Sequence, residues 1–179
     1  INFRDIMKFA YEVTKEDIIN FNLYHMENSE TERKRRLREK VFFVLWTLFI
    51  YLIFNYNNIS YQSFAIFIPV FLFGALIIFL LKKYRFWLVK RQVNSLLNEG
   101  NNNGMIGIQT LEITDDFLIV TNQQETSNLN ISKLNKVVED DSYIFIYTNS
   151  ISAFIISKKF INDKDKEKLI KIISDKITS

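Results

Sequence analysis

The sequence predicts an α+β protein in which a hairpin of two transmembrane helices is inserted into a domain of antiparallel strands. Three observations lead to this fold class. Residues 41–81 contain no charged side chain, although 24% of the whole chain is charged. Short segments with two-residue periodicity follow residue 106, and an amphipathic helix ends the sequence. Helix and strand signals therefore occupy separate parts of the chain, as in α+β proteins.

The uncharged block predicts two membrane spans, at residues 41–56 and 64–81, joined by a polar but uncharged turn. Crossing the hydrocarbon core of a bilayer takes about 20 mainly apolar residues. A buried hairpin in a soluble core is the structural alternative, but this chain offers too little other protein to cover so much apolar surface. A signal peptide fits less well, because the block begins 40 residues into the chain and holds two spans.

Basic residues on both flanks predict the orientation of the hairpin. They are the candidate membrane-interface and topology residues: Arg33, Lys34, Arg35, Arg36, Arg38 and Lys40 before the first span, and Lys82, Lys83 and Arg85 after the second. The turn between the spans holds no Lys or Arg. Because basic flanks stay on the cytoplasmic side, both termini are predicted to be cytoplasmic. Clustered basic residues also attract anionic lipids, although ordinary topology determination is the simpler interpretation.

The soluble segments begin with an alternating stretch at residues 9–13, which predicts a strand. Thr14 and Asp17 then form a capping-box pattern at the start of a helix that runs to about Asn28. After the second span a basic helix is predicted to continue to Glu99, where the Gly- and Asn-rich residues 100–104 end it. Met7 resembles a natural start, which leaves the origin of residues 1–6 open.

Six further strands are predicted in the C-terminal region, at residues 107–113, 117–121, 125–131, 136–139, 143–148 and 152–156. Polar turns join them, and an amphipathic helix follows Asn162. Six strands and a terminal helix are the sequence order of a pleckstrin-homology-like barrel, to which residues 9–13 would add a seventh strand. We therefore divide the chain into an N-terminal cytoplasmic strand and helix (1–30), the basic-flanked hairpin with its helical extensions (31–99) and this domain (104–179).

Composition argues against several kinds of chemistry. The chain has no cysteine and one histidine, His25, which argues against disulfides and zinc sites. The acidic groups Asp115-Asp116 and Glu139-Asp140-Asp141 fall in predicted turns, where carboxylates commonly bond their own backbone. No phosphate-binding glycine loop or nucleophile motif is present. We therefore expect no enzymatic activity, no cofactor and no metal. Residues 107–179 hold 9 Lys against 11 Asp/Glu and no Arg, so nucleic acid is not expected as a partner.

Three stretches of the sequence, together with the two apolar spans, resemble the YcxB-like family of small bacterial membrane proteins. The stretches are YEVTKEDIINFNLYHMENS, LLNEGNNNGMIGIQTLEITDD and KVVEDDSYIFIYTNSISAFIISKKFI. The resemblance covers essentially residues 7–179 and is most specific over 111–116 and 136–160. It implies a multi-pass protein of the bacterial cytoplasmic membrane whose C-terminal domain is similar to bacterial pleckstrin-homology domains. It implies no particular biochemical activity.

These observations predict a membrane-tethered, non-enzymatic interaction module that presents a pleckstrin-homology-like domain at the cytoplasmic face of the membrane. The expected partners are membrane lipids and an unidentified protein, and homo-oligomerisation is left open. The alternative, by analogy with other small two-span proteins, is an immunity or self-protection protein against a membrane-active toxin or bacteriocin. Transport is disfavoured because no charge within the spans marks an ion path.

Overall fold

The computed structural model describes residues 7–56, 61–99 and 104–178. Its helices and strands, in chain order, are β1 (Met7–Val13), α1 (Lys15–Asn28), α2 (Glu30–Phe54), α3 (Tyr61–Asn98), β2 (Gly107–Ile113), β3 (Phe117–Thr121), β4 (Thr126–Asn130), β5 (Lys136–Glu139), β6 (Tyr143–Tyr147), β7 (Ala153–Ser157) and α4 (Asp163–Thr178). The predicted α+β class, with antiparallel sheets and a C-terminal helix, is confirmed. Residues 1–6, part of the interhelical turn (57–60) and most of the helix-ending segment (100–103) lie outside the described residues.

The chain forms two compact units. One comprises residues 1–22 and 93–179, and the other comprises residues 23–92. The first unit contains all seven strands and α4, whereas the second contains α2 and most of α3. The first unit is thus assembled from the two ends of the chain.

The first sheet has the antiparallel order β1-β2-β3-β4. β1 pairs with β2 along its whole length, from Met7 opposite Ile113 to Val13 opposite Gly107, although three helices separate the two strands in sequence. Every second residue of β1 faces inward, and the buried Tyr11 hydroxyl donates a 2.9 Å hydrogen bond to Gln109 on β2. Gly107 starts β2 with a φ of +115°, which L side chains rarely adopt. The predicted seventh strand is therefore present.

The second sheet has the order β5-β6-β7, and its central strand is covered on both faces. Residues 144–147 of β6 are all buried. Side chains alternate along a strand, so Phe145 and Tyr147 share one face, where Phe21 of α1 contacts their rings at centroid distances of 5.4 and 5.7 Å. Ile144 and Ile146 point to the opposite face and are fully buried.

Helix α4 closes the strand-containing unit. Leu169 and Ile173 lie four residues apart on one helical face and are fully buried. The helix begins where the Asn162 side chain accepts a 2.9 Å hydrogen bond from the amide of Asp165. Asp163 and Asp165 lie in the first turn, where negative charge stabilises the helix dipole. The predicted amphipathic C-terminal helix is confirmed.

The two predicted transmembrane helices are not confirmed. Among the described residues, one helix is long and apolar enough to cross a membrane, the segment Phe67–Asn98 of α3, and no part of its most apolar stretch is buried. α2 combines a charged N-terminal part with residues 41–54, which are fewer than the roughly 17 apolar residues of a short span.

Candidate functional site

The seam of the α2–α3 hairpin is made mainly by aromatic side chains that contact one another across the two helices. Tyr51 and Phe67 meet edge to face at 4.7 Å, and Phe43 contacts Phe71 at 5.7 Å between ring centroids. Gly74 lies so close to Phe43 that any added side chain would collide with that ring. The absence of a side chain at Gly74 therefore lets the helices approach here.

Away from the seam, the hairpin exposes a large apolar surface. Its exposed large hydrophobic side chains include Val41, Phe42, Val44, Leu45, Trp46, Leu48, Phe49, Leu52 and Ile53 on α2, and Ile68, Val70, Leu72, Phe73, Leu76, Phe79, Leu80 and Leu81 on α3. Soluble monomers rarely expose contiguous apolar patches larger than a few hundred Å². This surface therefore requires a lipid or protein covering.

A cavity of about 800 Å³ lies between α2 and α3. Its wall is apolar at one end and charged at the other. It is lined by Met26 and Glu27 at the end of α1, by Glu32, Arg36, Glu39, Lys40 and Phe43 of α2, and by Gly74, Ala75, Ile77, Ile78, Phe79, Leu81, Lys82, Arg85 and Phe86 of α3.

The nine predicted interface residues divide into two groups. Arg36, Lys40, Lys82 and Arg85 line the cavity, so the structure brings basic residues from both flanks together at one site. Arg33, Lys34, Arg35, Arg38 and Lys83 are exposed outside it. The sequence pattern identified all nine as flanking charges, but helical phase decides which of them face the partner helix.

Ion pairs neutralise much of the charge at the cavity. Arg85 pairs with Glu39 at 2.5 Å, and Lys82 pairs with Glu27 at 3.0 Å. Arg36 donates instead to two main-chain carbonyls, those of Met26 at 3.0 Å and Glu27 at 2.5 Å. Within the described part of the chain, no carboxylate lies within 4 Å of Arg36 or Lys40. Two positive charges thus remain without a carboxylate partner.

A second polar cluster, which the sequence did not reveal, lies between α1 and β6. The buried carboxylate of Asp17 accepts hydrogen bonds from the Thr14 amide and hydroxyl, each at 2.7 Å, and from the Tyr143 hydroxyl at 2.8 Å. The Asn20 side chain donates to the same hydroxyl at 3.0 Å. The Thr14–Asp17 half was predicted as a capping box and is confirmed by a 3.2 Å bond from the Asp17 amide to the Thr14 hydroxyl. No sequence signal pointed to Tyr143, because its partner lies across the fold.

The pKa shifts in this cluster indicate a structural role for its hydrogen bonds. Burial raises the pKa of the Tyr143 hydroxyl, and the bond to Asp17 acts in the same direction. Burial likewise raises the pKa of Tyr11 beyond its usual range. Both phenols therefore remain protonated donors at neutral pH, which suits holding elements together better than exchanging protons.

Two of the carboxylates singled out in the sequence, Asp116 and Glu139, pair with lysines that are distant in the sequence. Asp116 lies in the turn between β2 and β3 and pairs with Lys176 of α4 at 3.3 Å. Glu139 accepts from Lys158 at 2.6 Å and from Lys166 at 3.2 Å, and these bonds lower the pKa of its carboxyl group. The described residues contain no group of three or more His, Cys, Asp or Glu side chains placed to hold a metal ion.

Comparison with known proteins matches part of the chain to a family model. The model of a family described as YcxB-like protein matches residues 113–173, which run from the end of β2 into α4. No curated protein and no solved structure matches the chain. Of the two stretches on which the resemblance is most specific, the matched range contains all of 136–160 and part of 111–116. Over residues 113–173, this chain is therefore similar to the YcxB-like family, the family that its motifs resemble.

Proposed function

We propose that this protein is a membrane-tethered, non-enzymatic interaction module that presents a pleckstrin-homology-like domain at the cytoplasmic face of the bacterial membrane. The observation that carries the proposal is the exposed apolar surface of α2 and α3. Burying a Leu, Ile or Phe side chain contributes about 1.5–3 kcal/mol relative to leaving it in water. A bilayer would provide that burial along the whole hairpin.

Contacts along the hairpin support two spans instead of one. Tyr51 contacts Phe67 toward one end, and Glu39 pairs with Arg85 toward the other, so the helices run antiparallel. The apolar part of α2 is short for a span, but long basic side chains can extend from its end to the headgroups. The basic flanks of both helices lie at the same end of the hairpin, which favours cytoplasmic termini.

The architecture of the strand-containing unit supports the pleckstrin-homology-like assignment. Seven antiparallel strands form sheets of four and three, and α4 follows the last strand. β4 is an edge strand of the larger sheet. Among the described strands, it is hydrogen-bonded to β3 alone. An edge of this kind can accept an extended peptide as an additional strand. We therefore place the protein-binding surface at β4.

The use of the acidic groups favours binding over chemistry. Asp17 is occupied by Thr14 and Tyr143, and Glu139 by two lysines. General acid–base catalysis needs a titrating group within reach of substrate, with its pKa near the working pH. Here the pKa of Glu139 is lowered and the pKa of Tyr143 is raised. Both pKa values therefore move away from neutral pH, so Glu139 stays charged and Tyr143 stays protonated.

Site-specific photo-crosslinking of the full chain in native membranes tests the proposal. A photoreactive amino acid replaces exposed Asn128 on β4, and a matched variant carries it at exposed Lys164 on α4. The proposal predicts a discrete protein adduct from position 128 that position 164 does not give. Equal labelling at both positions, or no adduct at position 128, would contradict an interaction site at this edge.

A further inference from the structure

We infer that the cavity between α2 and α3 binds one phospholipid molecule. The phosphate contacts Arg36 and Lys40, and an acyl chain lies on the apolar wall. This inference rests on the proposed membrane location and adds to it a ligand, a site and the residues that recognise it. Without the inference, the basic flanks would be topology determinants alone.

The polarity of the cavity wall changes along the helix axis in the way that a lipid requires. Phe43, Gly74, Ala75 and Ile78 form the apolar end, and the charged side chains lie at the other. Gly74 and Arg85 are separated by roughly 16 Å of helix at 1.5 Å per residue. The cavity therefore passes from hydrocarbon-like to headgroup-like surroundings over the distance at which a phospholipid does the same.

The charged end retains positive charge for a phosphate. Glu39 and Glu27 are paired with Arg85 and Lys82, and Glu32 is paired at 2.7 Å with Arg35, which lies outside the cavity. Arg36 and Lys40 are left to meet an anion. The two carbonyls that hold the Arg36 guanidinium fix its position in advance. Arginine in a fixed geometry is well suited to phosphate, because its planar donors match the oxygens.

The apolar end of the cavity distinguishes a phospholipid from other occupants. Phe43, Gly74, Ala75 and Ile78 line this end, and the cavity has a volume of about 800 Å³. Such a volume lies within the roughly 300–1,000 Å³ of ligand cavities. A soluble phosphate would make no use of the apolar wall, and a second apolar helix would leave Arg36 and Lys40 without a partner.

Native mass spectrometry of the full chain in mild detergent, with added phosphatidylglycerol, tests the inference. Arg36→Gln with Lys40→Gln removes two charges from the cavity, whereas Arg33→Gln with Arg38→Gln removes two from the same helix outside it. Ala75→Phe fills the apolar end, and Leu80→Phe is its control on an exposed, non-lining position. We expect the unsubstituted chain to retain one lipid molecule. Retention should fall about tenfold in the cavity variants, which for the charge-removal variant reflects the loss of a charged contact. Retention by the control variants should change little.

Three results would overturn the inference: equal losses from the two charge-removal variants, full retention by the Ala75→Phe variant, or competition by inorganic phosphate as effective as by lipid. The Lys40→Gln single variant guards against indirect effects, since Arg36 also holds the end of α1. Carbonate extraction of each variant is measured in parallel. An unsubstituted chain that stays in the membrane without retaining lipid contradicts the lipid site alone, whereas an unsubstituted chain that is extracted contradicts the proposed membrane tethering.

Discussion

At the scale of single residues, Asp17 is the side chain whose contacts hold α1 against β6. It is buried, and it accepts three hydrogen bonds from Thr14 and Tyr143. Hydrogen bonds to a charged group each contribute about 1.5–3 kcal/mol, and leaving a buried partner unsatisfied costs a similar amount. The cluster therefore connects the N-terminal part of the chain to a sheet formed near its C-terminus.

We predict that Asp17→Asn lowers the free energy of unfolding by about 1–3 kcal/mol, because the amide loses the negative charge and cannot accept all three bonds. Glu16→Gln is the matched control, because Glu16 is exposed beside Asp17 and its substitution also removes one negative charge. Its effect should stay within about 0.5 kcal/mol. Denaturant unfolding of the detergent-solubilised chain, followed by circular dichroism, measures both. Equal effects would show that charge alone, and not the buried cluster, matters.

A second residue-scale prediction concerns pH. The bonds from Lys158 and Lys166 lower the pKa of Glu139 in the folded state, so its contribution to stability is present above the ordinary carboxyl value and disappears as pH falls through the lowered one. The pKa of Lys166 is raised, so its contribution disappears only at alkaline pH. We expect Glu139→Gln to reduce thermal stability slightly at pH 7 and to flatten its decline below about pH 4.5.

Glu167→Gln is the control for the pH prediction. Glu167 is exposed on α4, and its substitution also removes one negative charge. Thermal melts from pH 3 to pH 7 should leave its acid dependence the same as that of the unsubstituted chain. A Glu139→Gln chain with an unchanged acid dependence would mean that the Lys158 and Lys166 bonds contribute nothing measurable, as many exposed ion pairs do.

At the scale of elements, the close approach of α2 and α3 depends on Gly74 beside Phe43. We predict that Gly74→Leu destabilises the hairpin by about 1–3 kcal/mol, since overfilling a packed contact forces side chains or backbone to move. Phe43→Ala should recover part of the loss in the double variant, because the two residues share one space. Thermal unfolding of all four chains completes the cycle. Additive effects of the two substitutions would contradict a direct contact.

Most elements could be predicted from the sequence, because local patterns specify them. Alternation in residues 9–13 and the amphipathic pattern after Asn162 indicated β1 and α4 correctly. The covering of β6 by Phe21 could not be predicted, since a run of apolar residues does not reveal what packs on each face. The cavity was equally hidden, because residues of several helices form its wall and no single helix reveals it.

At the scale of the whole molecule, the sequence and the structure differ in the number of membrane spans that they indicate. By length and composition, one described helix qualifies as a span, whereas the charge pattern and the antiparallel pairing of α2 and α3 favour two. The difference arises at α2, whose apolar part is short and whose first turns are charged. A short hydrophobic stretch can still cross a bilayer that thins locally around it. Two spans with cytoplasmic termini remain the central prediction.

Labelling of introduced cysteines tests that prediction most directly, because the chain has no cysteine of its own. Asn58→Cys places a thiol in the sequence between α2 and α3, and Lys164→Cys places one on exposed α4. A membrane-impermeant maleimide is applied to intact cells, or to spheroplasts if an outer membrane is present, and then to lysed ones. Two spans with cytoplasmic termini predict that position 58 reacts before lysis and position 164 only after it. Labelling of position 164 before lysis would contradict the account.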